Sequence, residues 1–477
     1  MTASRPNVLV IMQDQLRYDL VHGPMAHTPN LDRFRSQGTS FSRAYTPLGI
    51  CGPSRASFLT GLYPHGHGVL NNVSGPDAMS RNLRRDIPTM AELLAKAGYR
   101  TGYVGKWHVG VEEQAGERGF EDVHISDPEL WDTYADWASR FAEDSPHAAH
   151  TRYPPPHPRV ADRLPRRPFP LYNREPVEHE SILPCHGVTE ASIDLLRKYS
   201  AGDQPFMLFT SYVEPHWPYA LPEPYASMYD PSSIEPWPNF FDTFEGKTRA
   251  NQAGLEHFGV ADFTWEDWQP IVAAYLGAVT LLDDMVGRVL AAVDELGLAD
   301  STLVLCSADH GDMAGAHRQF NKGPLMYEEV YRLPFMWRGP GVQAGVSTDA
   351  LASHVDVLPT VLEASDGPWP EQLHGCSLMP VLAGDTDGWR ESLMSEFHGD
   401  EFGLCSQRML RWGRYKLVYN PNDVRELYDL DADPWELANL ALDPSHDALR
   451  RDLEARLLEL MQETDDSLRY WAVNTLG

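Results

Sequence analysis

Asn7-Val8-Leu9-Val10-Ile11-Met12-Gln13-Asp14-Gln15 is the stretch from which the fold can be read. Asn7–Met12 is a short, nearly continuous apolar run rich in Val and Ile, which reads as a buried strand. It is too short for the core of a signal peptide, and no basic region or cleavage site surrounds it. It stops abruptly at Asp14-Gln15, two side chains that offer oxygen atoms to a cation.

The chain repeats this design. Thr28-Pro29 followed by Leu31, Phe34 and Gly38 predicts a helix with Pro at its first position and Gly past its end, and Pro88 to Ala97, stopped by Gly98, does so again. Thr101–Gly105, Phe206–Tyr212 and Thr302–Ser307 are further strand candidates, and apolar spacing predicts a long helix from about Trp268 to Leu296. Short β-rich runs alternating with amphipathic helices predict an α/β catalytic domain over residues 1–375, with a large, mostly parallel sheet flanked by helices. An insertion near 111–190 interrupts it. Within that insertion, residues 145–190, with Pro154-Pro155-Pro156, several histidines and many arginines, read as an irregular excursion, either plain surface or a border of the active site. From about residue 376 the texture changes. Gln407–Tyr419 alternates like strands, and Leu449, Leu453, Leu457 and Leu460 share one helical face, so residues 376–477 read as a smaller C-terminal α+β domain with an antiparallel sheet.

Composition narrows the partners. Among 477 residues, 39 basic stand against 68 acidic, a net charge of −29. That field repels nucleic acid, anionic membranes and long sulfated polymers, which argues for a small substrate held by a local basic cluster. No apolar run is long enough to cross a bilayer. With no signal peptide in view, a cytoplasmic location is expected. Five cysteines (51, 185, 306, 376 and 405) are scattered and odd in number, neither a disulfide framework nor a Cys-x-x-Cys zinc pattern. The composition is compatible with an oligomer.

The chemistry collects where strands end. Asp14 and Gln15 follow the first strand, Lys106 and His108 the second, His216 the third, and Asp309 and His310 the fourth. Ligands of open α/β sheets bind at the carboxyl ends of strands, so these residues converge on one metal-centred anion site. Asp14, the Gln15 side-chain carbonyl and Asp309 suit a hard cation, with His310 as a nitrogen donor; the plainer reading of Asp14 is a turn cap. Cys51-Gly52-Pro53-Ser54-Arg55, followed by Ala56-Ser57-Phe58-Leu59-Thr60-Gly61, is the sharpest segment. Pro53 suits a first helical position, which puts residue 51 at a helix N-terminus, where an anion is favoured and a thiol is acidified. Three residues between Cys51 and Arg55, one of them Pro, do not form the longer loop of a cysteine phosphatase. A buried structural cysteine is the competing reading.

These residues resemble the type I sulfatases of the alkaline phosphatase superfamily. The likeness runs from Arg5–Met12 and Thr28–Asp32 through Cys51–Gly61 and Ala97–His108 to Pro215-His216-x-Pro218, Ser307–Asp312 and Glu426–Leu430. It implies an alkaline phosphatase-like fold and a sulfuric ester hydrolase. It also implies that a formylglycine-generating maturation enzyme oxidises Cys51 to formylglycine. One hydroxyl of the hydrated aldehyde then attacks the sulfur of a small sulfate ester, and the second expels sulfate. By the same resemblance Arg55 stabilises the formylglycine, Lys106 binds sulfate oxygens and His108 takes the gem-diol proton. His216 and Lys322 contact the sulfate or the leaving oxygen as proton donors, Asn72 touches substrate, and Asp14, Gln15, residue 51, Asp309 and His310 hold the metal.

Two departures from the family pattern matter. Asp14-Gln15 replaces an Asp-Asp pair and Asp309-His310 an Asp-Asn pair, which leaves the metal open among calcium first, then manganese or magnesium. A phosphonate monoester or phosphodiester hydrolase of the same superfamily is therefore the first alternative. A non-catalytic metal-binding protein with a relic site is the second.

Overall fold

The computed structural model describes residues 5–74, 77–124, 183–217, 219, 221–400 and 403–476. The strands are β1 (Asn7–Gln13), β2 (Thr39–Phe41), β3 (Ala44–Tyr45), β4 (Arg100–Gly105), β5 (Asp122–His124), β6 (Phe206–Ser211), β7 (Thr302–Ala308), β8 (Phe335–Arg338), β9 (Val346–Thr348) and β10 (Ala352–Ser353). Eight of them form one sheet in the order β5-β4-β6-β1-β7-β8-β2-β9, and β10 pairs with β3 alongside it. Pairing is parallel throughout except where β8 runs against β7 and β2. The sheet is thus mostly parallel, as expected.

β1 lies at the middle of this sheet because both of its faces are apolar. Leu9 and Ile11 pack into one core with the long helix Trp265–Glu295 and the helix Pro184–Ser200. Val8, Val10 and Met12 pack into the other, with residues of the helices Cys51–Thr60, Met90–Lys96 and Val357–Ser365. Each such fully buried side chain stabilises by about 1.5–3 kcal/mol, enough to fix which strand is central.

Beyond one-residue shifts at strand ends and a long helix that starts at Trp265, the structure differs from the sequence reading in three places. The second helix begins at Met90 rather than Pro88, because Thr89 and Glu92 form a capping box: Glu92 N donates to Thr89 Oγ1 and Thr89 N to Glu92 Oε2. The helix carrying Cys51 begins at that residue, so Pro53 is its third residue; its missing N–H is still one of the unpaired first-turn donors, so nothing is lost. The excursion expected over 145–190 ends in an ordered helix from Pro184, and residues 125–182 lie outside the described residues.

The C-terminal part carries β11 (Ser392–Phe397), β12 (Gln407–Trp412), β13 (Tyr415–Tyr419) and β14 (Glu426–Asp429), an antiparallel meander in that order. The helix Asp447–Glu463 packs on it through Leu453, Leu457 and Met461; Leu449 and Leu460 are only half-buried. Among the described residues, no helix is long and apolar enough to cross a membrane.

Candidate active site

The strands β4, β6, β1 and β7 are neighbours, so their carboxyl ends open onto one place. Asp14 follows β1, Lys106 follows β4, His216 lies past β6 and Asp309 follows β7. The turn after β1 is tied to its neighbours, since Asp309 N donates to Gln13 O at 3.0 Å and Asp14 N to Glu214 O at 3.3 Å. The helix Cys51–Thr60, every residue of which is buried, aims its N-terminus into this opening. Gly52 fits closely there: a Cβ would come within 3.1 Å of His108 O and 3.3 Å of Asn72 Oδ1, a tight contact.

Around Cys51 the polar atoms are placed as follows. Its sulfur lies 3.2 Å from His310 Nε2 and 3.7 Å from Asp14 Oδ1. Arg55 Nε donates to Asp309 Oδ2 at 2.8 Å, Nη2 to Asp14 Oδ2 at 3.1 Å, and Nη1 to Ser211 Oγ at 2.6 Å and Lys106 O at 2.9 Å. Lys106 Nζ pairs with Asp14 Oδ2. Lys322 Nζ donates to Gln15 Oε1 at 2.9 Å and lies 3.4 Å from His216 Nε2. Three buried cations (Arg55, Lys106, Lys322) thus face the buried carboxylates Asp14 and Asp309, with the buried Asp312 behind Gln15. The cations form the local basic cluster that an anion needs inside an acidic protein.

The electrostatics follow. Burial alone would raise the Cys51 thiol, but Lys106, Lys322 and His310 outweigh it and hold it well below its ordinary value. Burial would also lift the Asp14 carboxyl; Lys106, His216 and Arg55 hold it down instead. His108, whose burial and whose neighbour Lys106 lower its basicity, stands beside the thiol with Nε2 3.1 Å from Ser74 Oγ. Gln15 and His108 are both in the left-handed backbone region, at φ 64° and 55°. Strain of this kind persists where the surroundings enforce it, and it concentrates at functional sites.

Asp14, Cys51, Asp309 and His310 each offer a ligand atom, all within 4.8 Å of one another. The donor set fits a cation in detail. His310 Nδ1 lies 2.8 Å from Gly311 O, so the ring keeps a proton there, and a cation arriving at the cluster would displace the second proton, from Nε2. Every catalytic and metal residue expected from the sequence is therefore brought to this site, with Gln15 joined to it through Lys322 and Asp309. Asn72 has a structural task here: its Oδ1 accepts from Gly52 N at 3.1 Å and its Nδ2 donates to Asp400 Oδ2 at 3.4 Å.

Four residues were not singled out from the sequence. Asp312 and Asn321 grip the Gln15 amide. His354 touches Ser54 and Ser307 from below, and Asp400 reaches over from the C-terminal part. Of these only Asp312 sat inside a stretch already quoted for its motif, and no local pattern gives its partner.

A candidate cation site and a basic cluster at the ends of parallel strands suit the hydrolysis of an anionic ester. The sulfatase family model matches residues 6–367, and a model described as N-sulphoglucosamine sulphohydrolase, C-terminal, matches 315–463. The chain belongs to the sulfatase family, enzymes that hydrolyse sulfuric esters. It is 30% identical over 461 residues to an arylsulfatase of Clostridium perfringens, covering 91% of this chain and 90% of that one. It is 28% identical to the multifunctional alkaline phosphatase superfamily protein PehA of Trinickia caryophylli, over 99% of each. Among solved structures it is similar to the phosphonate monoester hydrolase of Silicibacter pomeroyi, with a TM-score of 0.76, 27% identity, and 97% and 96% of the two chains covered.

Proposed function

We infer that this protein hydrolyses a small organic sulfate ester to an alcohol and inorganic sulfate, with residue 51 matured to formylglycine. The observation that carries the reading is the position of Cys51. It sits at a helix N-terminus, against His310 and Asp14, with Arg55, Lys106 and Lys322 around it. A divalent cation, calcium first and manganese or magnesium next, fits between Asp14, residue 51, Asp309 and His310, with Gln15 adding a neutral oxygen. Bound there, it supplies positive charge at the sulfate oxygens and acidifies the hydroxyl of residue 51.

The remaining work falls to the chain's own side chains. Lys106 and Lys322 hold sulfate oxygens and stabilise the charge that develops on them. Arg55 keeps Asp14 and Asp309 in place. His108, beside residue 51 and held largely neutral by its burial, accepts a proton from it. His216, within reach of Lys322, delivers a proton to the departing alcohol oxygen.

The test is peptide mass spectrometry across position 51 on protein made with its maturation enzyme, followed by a panel of sulfate esters. Sulfur retained at residue 51 in protein that still turns over at full rate would overturn the reading. A second reading, phosphonate monoester or phosphodiester hydrolysis, is favoured by Gln15 in place of a second carboxylate and by the likeness to the phosphonate monoester hydrolase. Values of kcat/KM on matched aryl sulfate, phosphodiester and phosphonate esters separate the two.

A further inference from the structure

Gln15 is a neutral side chain with two chemically different ends, and which end faces the site decides whether it can ligate a cation. Every polar atom of the residue is engaged. Its backbone N–H donates to Asp309 Oδ1 at 3.1 Å and its carbonyl accepts from Tyr275 Oη at 2.6 Å. Its Nε2 donates to Asp312 Oδ2 and to Asn321 Oδ1, the latter at 2.9 Å, while its Oε1 accepts from Lys322 Nζ at 2.9 Å. A flipped amide would set its oxygen against a carboxylate and its NH₂ against an ammonium, so the two orientations are not interchangeable.

The gripping residues are themselves fixed. Asp312 is fully buried, and its other oxygen accepts from Ala314 N at 2.6 Å. Asn321, like Gln15, lies in the left-handed region, at φ 63° against 64°. Asn tolerates that region, Gln much less so, and the hydrogen bond between their side chains ties the strained residue 15 to a fixed neighbour.

We propose that Asp312 and Asn321 are positioning residues for the cation: by holding both N–H groups of Gln15 they turn its carbonyl oxygen inward, one lone pair to Lys322 and the other to the metal. Residue 15 then ligates without adding charge, and the acceptor it offers Lys322 is a neutral one. The proposal rests on the cation site of the functional reading but not on which ester is cleaved. Groups that orient ligands from behind commonly change metal affinity about 10–100-fold when lost.

The experiment is calorimetric titration of chelator-stripped, matured enzyme with calcium, for the parent and for Asp312→Ala, Asn321→Ala, Gln15→Glu and the double variant Gln15→Glu/Asp312→Asn. Asp312→Ala and Asn321→Ala are each expected to weaken calcium about 10–100-fold. Gln15→Glu sets two carboxylates against each other and weakens it as well. The double variant restores an amide-to-carboxylate bond in the reverse sense and recovers parental affinity or better. Single variants within about twofold of the parent would overturn the proposal. So would a double variant binding no more tightly than Gln15→Glu alone, and that comparison decides the matter should Asp312→Ala fail to fold. Loss of sulfate-ester turnover with this coupling intact would remove the functional reading and leave the proposal standing.

Discussion

Arg55 Nε donates to Asp309 Oδ2 at 2.8 Å with both side chains out of water, and the same guanidinium reaches Asp14 Oδ2 at 3.1 Å. One cation therefore spans the two carboxylates that face the metal position. Replacing it with Met leaves the buried Asp309 without this cation and Asp14 with Lys106 in its place. Loss of one partner from a buried ion pair costs about 3–5 kcal/mol, so Arg55→Met should unfold at distinctly lower urea in chelator. Added calcium should recover part of the loss, because a divalent ion offsets the same carboxylate charge. Turnover should fall by at least about 100-fold whatever the calcium level. Urea midpoints that match the parent in chelator would contradict this account.

Metal removal gives a second prediction. With the ion bound to folded protein only, calcium at about 100 times its dissociation constant should add about 2.7 kcal/mol of stability over the chelator-treated state. Asp14→Asn or Asp309→Asn should shrink that increment sharply, because each removes a carboxylate from the donor cluster. Thermal melts of the three proteins with calcium and with chelator measure it.

Asn72 offers a third. Its Oδ1 satisfies the otherwise unpaired N–H of Gly52, and its Nδ2 reaches Asp400. Asn72→Ala leaves that donor unmet, at a cost of about 1–3 kcal/mol. Asn72→Asp keeps the acceptor for Gly52 but sets a second carboxylate against Asp400 and close to the incoming sulfate. The Asp variant should therefore fold better than the Ala variant yet show the larger rise in KM. Equal KM values in the two would argue against Asp400 and the substrate sharing this corner.

How much of this could be read in advance depended on whether the signal was local. β1 and the residues after β4, β6 and β7 were legible because a parallel strand is an apolar run that ends abruptly, and its last polar residues must point where ligands bind. β2 and β9 were not, being three residues each, too short to carry a period. β8, antiparallel within a mostly parallel sheet, also escaped the alternation of strands and helices. The start of the helix at Met90 was missed although Thr89-x-x-Glu92 is a local signal, because Pro88 offered a competing one. The grip of Asp312 and Asn321 on Gln15 joins positions 297 and 306 residues apart, and no periodicity encodes such a pairing.

The joint between the catalytic part and the C-terminal sheet yields a prediction about pH. His65, just past the helix Cys51–Thr60, bonds through Nδ1 to Glu396 of β11 and through Nε2 to Thr464 O at 2.8 Å. Both partners are acceptors, so both ring nitrogens must carry protons and the imidazole is charged. His374 stacks on it at 5.2 Å, and Tyr63, His398, Arg408 and Asp466 complete the surroundings. Burial works against the charge, but Glu396 outweighs it and raises His65 to about 9 from an ordinary 6.5. A folded value above the unfolded one means the stabilisation is fully present below about pH 6.5 and is lost as pH rises through about 9. Its size is on the order of 3 kcal/mol. His67 and His374, held down to about 3 and 4 by burial first and in part by the charge of His65 itself, act in the opposite sense and cost stability on acidification, but in the parent both stay neutral between pH 6 and 10. The stability difference between the parent and His65→Gln should therefore be largest near pH 6 and close steadily toward pH 10. Urea titrations at intervals across that range measure it, and a gap that stays constant with pH would mean that His65 is neutral in the folded protein.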